Sequence, residues 1–386
     1  MTKKLLYVTG SRAEYGIMKR LLLRLKEDNE IELTLIATGM HCDSNYGLTY
    51  KVIENDGFTI DKLIDININT DSNAKVLQSM AVCQTEFGIY LEKNKFDAIM
   101  LLGDRYEIFS VAIAAAMHNI PIIHLHGGEK TLGNYDEFIR HAITKMSRLH
   151  LASTDEYRNR IIQMGEHPDT VYDIGALGAE NALLLDLPSR EELEAKFGPF
   201  NRPWFMVVFH PETLTKVSLV RQIEELINAL SRLNDTYDFI FIGSNSDTGS
   251  DEITKKIKAY CHRTNSRYFT SLKPEEYLAL NKFSQGLIGN SSSGLIEIPS
   301  LNIPTINIGD RQKGRVRGDS VIDCVCEVDA IFNAIVASQE PVFKARIENA
   351  TNPYYKQGVL EKALDVIKNY MRTSEFEYKD FYDLNI

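Results

Sequence analysis

Short apolar runs ending in small or polar residues alternate along this chain with stretches whose apolar positions recur every three or four residues. That cadence marks parallel βαβ units, because strands buried on both faces read as continuous apolar runs while the helices covering them are amphipathic. In the first half it predicts strands at residues 5–8, 32–37, 98–102, 120–124 and 150–152, separated by helices that include 13–26 and 107–118. After Leu187-Pro188-Ser189 the cadence restarts, with strands at 205–209, 239–242, 286–288 and 305–308. A final helical stretch, 358–372, precedes an aromatic tail, 376–382, that needs an apolar surface to pack on. The expected fold class is α/β, built as two Rossmann-like domains with parallel sheets and a cleft between them.

Length supports the division: 386 residues exceed the ~250–300 that one hydrophobic core organises. The boundary is expected near residue 178, with Gly175 and Gly178 close to the hinge, giving domains of 1–178 and 179–366. Hydrophobic residues at 44% suffice for both cores. A net charge of -10 argues against a general nucleic-acid binder, whose affinity comes from Lys and Arg neutralising phosphates. The five cysteines contain no CxxC pair and read as reduced core or surface thiols, with Cys324 and Cys326 alternating along a strand. The apolar stretch at 5–8 is too short for a signal-peptide core or a membrane span, which points to a cytoplasmic protein with no membrane partner.

In open parallel sheets ligands bind beyond the carboxyl ends of the strands, so the informative residues are those that follow strands. Residues 9–16, Thr-Gly-Ser-Arg-Ala-Glu-Tyr-Gly, form a glycine turn opening a helix, where Arg12 and backbone N–H groups near Gly16 suit a phosphate. The pattern is neither GxGxxG nor GxxxxGK[ST], so neither a dinucleotide fold nor a P-loop is supported. Gly103-Asp104-Arg105 puts a carboxylate beside a guanidinium at a strand end. Next come His124-Leu125-His126-Gly127-Gly128-Glu129, then Asp136 and Arg140 on a predicted helix. His124 and His126 should share a strand face, and with Glu129 and Asp136 they admit a metal reading, though the spacing is generic.

The second half supplies His210-Pro211-Glu212-Thr213 and the loop 243–249 with Asn245, both ligand-facing by position. The strongest local signal is residues 288–297, a strand ending in Ser291-Ser292-Ser293 that opens a helix, an anion cradle with Glu297 one turn in and placed for ribose hydroxyls. No GxSxG elbow is present. Residues 309–317, with Arg311, Arg315 and Arg317, form a basic loop within an acidic chain and suit phosphate binding.

Taken in order, residues 10–16, 103–105, 127–129, 139–141, 210–211, 289–297 and 309–312 resemble the UDP-N-acetylglucosamine 2-epimerases over nearly the whole chain. Within that family the chain looks closest to the hydrolysing bacterial branch of sialic acid synthesis, including the stretches 38–41 and 381–384. The resemblance implies a GT-B-type fold in which a C-terminal segment, about 367–386, crosses back to the first domain. It implies UDP contacts from Arg12, Arg105, His210, Ser291, Ser292, Glu297 and Arg311, and sugar chemistry at Asp104, Glu129, Asp136 and Arg140. It implies a homodimer or homotetramer, products UDP and N-acetylmannosamine, and no nicotinamide or metal cofactor. One departure stands out: His126 occupies a position where many relatives carry glutamate, and an imidazole there can transfer a proton or orient the sugar. Non-hydrolysing epimerases, GT-B glycosyltransferases, hydrolysing enzymes for diacetamido sugars and a non-catalytic UDP-sugar sensor would use much the same cleft.

Overall fold

The computed structural model describes residues 2–212, 214–215, 217–244, 246–373 and 378–384. Among the described residues two parallel sheets carry the chain. The first contains β1 (Lys3–Thr9), β2 (Ile31–Thr38), β3 (Lys62–Ile64), β4 (Ala98–Leu102), β5 (Ile122–Leu125), β6 (Leu149–Ala152) and β7 (Val171–Asp173), in the order 3-2-1-4-5-6-7. The second contains β8 (Trp204–Val208), β9 (Asp238–Ile242), β10 (Arg267–Phe269), β11 (Leu287–Gly289), β12 (Thr305–Ile308) and β13 (Val321–Cys324), in the order 10-9-8-11-12-13. Each sheet reverses direction of winding beside its first strand, between β1 and β4 and between β8 and β11, and these switch points open onto one cleft. The chain is therefore α/β with two Rossmann-like layers, as its cadence predicts.

Strands buried on both faces explain why the periodicity was so readable: every residue of β4, β5, β8 and β12 is buried, and apolar clusters lie on either side of each sheet. The three-residue edge strands β3, β7 and β10 escaped the sequence reading because so short a run carries no period. Cys324 ends β13, and Cys326 lies beyond it, so the predicted alternation of the two thiols along one strand does not occur.

The helix Val359–Thr373 returns to the first sheet. Its buried Leu360, Ala363, Leu364, Ile367 and Met371, spaced three to four apart, share a core with Leu21, Leu22 and Leu25 of the helix Arg12–Lys26. The Glu180 carboxylate accepts from the backbone N–H groups of Val359 and Leu360 at 3.0 and 3.2 Å, satisfying orphan donors at that helix start. The following tail docks on the first layer. Lys379 donates to the carbonyls of Lys145 and Ser147 at 2.6 Å each, and Phe381 packs on Gly165, where a Cβ would leave no room. Phe376 lies outside the described residues. No helix among the described residues is long and apolar enough to cross a membrane.

Candidate active site

The first sheet delivers basic and acidic groups to one wall of the cleft. After β1, Ser11 and Glu14 close a reciprocal capping box on the helix Arg12–Lys26, which fixes the turn that carries Arg12. Among the described residues Arg12 Nη1 is buried with no hydrogen-bond partner, and burial, opposed by Glu276 and Glu275, lowers its pKa only to about 10, so a cation faces the cleft. Gly16 also lines the cleft, but a Cβ there would stand 2.5 Å from Pro274 Cγ of the opposite layer. Its lack of a side chain serves the seam between the layers. Arg105, after β4, donates from Nε to Glu107 at 2.5 Å and from Nη2 across the cleft to Ser246 at 2.6 Å.

Four groups that can carry a proton line the adjoining wall: Asp104, His126, Glu129 and Asp136. β5 ends at Leu125, and His126 adopts φ 64°, a left-handed conformation that costs a non-glycine residue roughly 1–3 kcal/mol. The turn separates the two histidines that were expected to share a face. His124 is buried, with Nε2 2.7 Å from the Gly103 carbonyl and Nδ1 3.3 Å from Thr144 Oγ1, whereas His126 Nδ1 lies 2.9 Å from Glu129 Oε1. The metal reading that joined the two imidazoles therefore loses its geometry.

The carboxyls differ in proton affinity for identifiable reasons. Burial opposes ionisation of Glu129, but the Arg315 charge and the His126 contact outweigh it and hold Glu129 well below the usual range. Asp104 is likewise held low against burial by Arg140 and Arg315. Asp136, first residue of the helix Asp136–Met146, is pushed up to about 8 by burial and by its neighbours Asp104 and Asp247, which outweigh Arg311. Ionised and protonated carboxyls thus face one space near neutral pH, the arrangement that supplies base and acid together. Arg140 is fully buried and does not line the cleft. It donates to Asp104, to Thr131 Oγ1 at 2.8 Å and to the Glu129 carbonyl at 2.8 Å, holding the wall from behind.

The second sheet supplies the opposite wall. The Asn290 side chain pairs with the backbone N–H and carbonyl of His210 at 2.7 and 2.9 Å, tying the ends of β8 and β11 together. The His210 imidazole contacts Ser244 Oγ at 3.0 Å, and burial followed by the charges of Arg311 and Arg105 keeps it neutral. Ser291 and Ser292 line the cleft before a helix of a single turn, Ser293–Ile296, shorter than the serine-rich sequence suggested. Glu297 follows, its carboxyl raised to about 7 by burial against the influence of His126. Arg311 donates to the Asn290 carbonyl at 3.2 Å and lies 3.7 Å from both Asp136 and Asp247. Asn245 and Thr213 lie outside the described residues.

Asp247 was not singled out by sequence, and Arg315 was read only as part of a phosphate-binding loop. Asp247 is buried beside Arg311, and Arg315 reaches Glu129 Oε2 at 2.5 Å. Both sat inside loops already marked as ligand-facing, yet no linear signal tells which arginine of 311, 315 and 317 meets which carboxylate. Chemically, the cleft offers Arg12, Arg105 and Arg311 for a phosphorylated leaving group beside paired acid–base groups.

Comparison with known proteins agrees with this geometry. The sequence model of the family described as UDP-N-acetylglucosamine 2-epimerase matches residues 23–368. The chain is 59% identical over 382 residues to the polysialic acid biosynthesis protein P7 of Escherichia coli, covering 99% of this chain and 98% of that one. It is 35% identical over 341 residues to the hydrolysing GDP/UDP-N,N'-diacetylbacillosamine 2-epimerase of Campylobacter jejuni, covering 87% and 88%. The crystal structure of UDP-GlcNAc 2-epimerase from Neisseria meningitidis bound to UDP-GlcNAc shares the fold, with a TM-score of 0.79 at 18% identity over 95% of this chain and 100% of that one. A GT-B-type pair of parallel sheets, a cleft that sets arginines beside acid–base groups, and these matches together establish that the chain belongs to the UDP-N-acetylglucosamine 2-epimerase family.

Proposed function

We propose that this protein is a hydrolysing UDP-N-acetylglucosamine 2-epimerase, converting UDP-N-acetylglucosamine and water to UDP and N-acetylmannosamine at the entry to sialic acid synthesis. The observation that carries the reading is the juxtaposition of the Arg12, Arg105 and Arg311 cations with Asp104, His126, Glu129 and Asp136 in one cleft. The C2 proton of an N-acetylhexosamine is weakly acidic, so inversion needs departure of the anomeric group. His126, seated on Glu129 through Nδ1, takes that proton through its other ring nitrogen as the C1–O bond breaks and UDP leaves. The arginines stabilise the charge that grows on the diphosphate. Water then adds to the resulting 2-acetamidoglucal: its oxygen bonds C1, the proton it releases passes to the ionised Asp104 carboxylate, and Asp136 gives C2 a proton on the other face from its protonated form.

In this reading residues 1–178 with the returning C-terminal segment hold the acid–base groups, residues 179–366 bind the nucleotide through His210, Ser291, Ser292 and Glu297, and Arg140 positions Asp104. A second substrate is favoured by the relative from Campylobacter jejuni, whose name gives a diacetamido sugar nucleotide. The test is proton NMR of the EDTA-treated protein with UDP-N-acetylglucosamine in deuterated water. Free N-acetylmannosamine deuterated at C2 is expected. UDP-N-acetylmannosamine would identify a non-hydrolysing epimerase, and turnover only of the UDP-diacetamido sugar would move the substrate assignment.

A further inference from the structure

Glu129 is contacted from both layers of the molecule. Its Oε1 meets His126 Nδ1 and accepts from Ser153 Oγ, both at 2.9 Å and both within the first layer. Its Oε2 is met at 2.5 Å by the Arg315 guanidinium, which comes from the loop after β12 in the second layer. That loop is itself held against the first layer. The Val316 N–H donates to Tyr157 Oη at 2.8 Å, Tyr354 Oη donates to the Val316 carbonyl at 3.0 Å, and the two tyrosine hydroxyls are 2.8 Å apart. Arg315 Nη1 donates to Gln312 Oε1 at 3.0 Å while Nη2 meets Glu129, so both terminal nitrogens of the guanidinium are held. The ion pair thus joins the proton-transferring wall to the layer that faces it, and it exists only while the two are together.

We propose that Arg315 is a positioning residue that seats the Glu129–His126 pair from across the cleft, so that this pair is assembled by closure of the second layer onto the first. Arg311, four residues earlier, lies 3.7 Å from Asp136 and Asp247, whereas Arg315 meets Glu129, so the two arginines of one loop pair with different carboxylates of the cleft. The proposal rests on the reading that His126 handles the sugar proton. Without Arg315 the pair would lose the cation that meets Glu129 Oε2, keep only the weaker influence of Arg140, and hold its proton more tightly. Asp104, Arg140, Tyr157 and Tyr354 also face Glu129, and Glu297 faces His126; all stay in place when only Arg315 is replaced.

The experiment compares wild type, Arg315→Met and Arg315→Lys for UDP affinity by calorimetry, for kcat and KM of UDP release between pH 5.5 and 9, and for the His126 Nδ1 proton by NMR of histidine-labelled protein, assigned with His126→Gln. Arg315→Met is expected to leave UDP affinity and KM within about threefold, to lower kcat about 100-fold, as for a misplaced reacting group, and to move the acid limb of the profile to higher pH. It should also abolish the slowly exchanging Nδ1 signal, and Arg315→Lys should restore that signal and return the limb. An unchanged limb, or parallel losses of UDP affinity and kcat, would overturn the positioning role. Should wild type release no UDP from any candidate sugar nucleotide, the functional reading fails while the NMR comparison still decides whether Arg315 seats His126.

Discussion

Gly16→Ala tests whether the fit of the two layers, rather than the residues of the cleft alone, sets the rate. The new methyl would lie 2.5 Å from Pro274 Cγ, a stiff ring atom, where ordinary carbon contacts need ~3.5–4.0 Å, so the seam must open by about 1 Å. Within the helix Arg12–Lys26 the same change is favourable by about 1 kcal/mol, because alanine replaces glycine in a helix interior. Overpacking costs about 1–3 kcal/mol when it must be absorbed by a closed core, but at a seam the layers can part instead. The melting temperature should therefore hold within a few degrees while kcat/KM for UDP release falls about 100-fold, the scale expected of a displacement near 1 Å at the reacting groups. Pro274→Ala removes the ring atom that the methyl meets, and the double variant should recover most of the lost rate. Wild-type kcat/KM in Gly16→Ala, or a double variant no better than the single, would refute the argument that this contact sets the register of the layers.

Other expectations follow from the charges of the cleft. With Asp136 acting as an acid whose pKa in the free protein is about 8, kcat/KM should fall as the pH rises through that value and deprotonates it; Asp136→Asn should lower kcat/KM by about 100-fold or more and remove that limb, as a pH series of UDP release would show. Glu297 is raised to about 7, so if its carboxylate accepts from ribose hydroxyls, calorimetry should find UDP binding strengthening relative to Glu297→Gln as the pH rises through that value. Arg140→Met should destabilise the fold by about 3–5 kcal/mol, because it strands the Asp104 carboxylate it holds, and urea unfolding should show the loss as a lower midpoint with unchanged slope.

Much of this architecture is written in local chemistry. The buried strands β1, β4, β8, β11 and β12 show as apolar runs because both faces of each are covered, and the turns after them carry Arg12, Asp104, Arg105, His210, Ser291 and Arg311, which needs only the rule that parallel sheets bind ligands at strand ends. The amphipathic spacing of Leu360, Leu364, Ile367 and Met371 likewise announces a helix with one buried face. Which surface that face covers is not a local property, and only the packed chain sets it against Leu21 and Leu25. His126 shows the same divide: its type is plain in the sequence, but its separation from His124 depends on a left-handed turn at a non-glycine residue. The proton affinities of Glu129 and Asp136 diverge because Arg315 and Asp247 arrive from a sheet more than a hundred residues further along the chain, and burial amplifies charges that no linear spacing encodes. Residue types and the ends of strands follow from local sequence, whereas charge pairing across the cleft, and with it which carboxyls hold a proton near neutral pH, is decided by which layers the fold brings together.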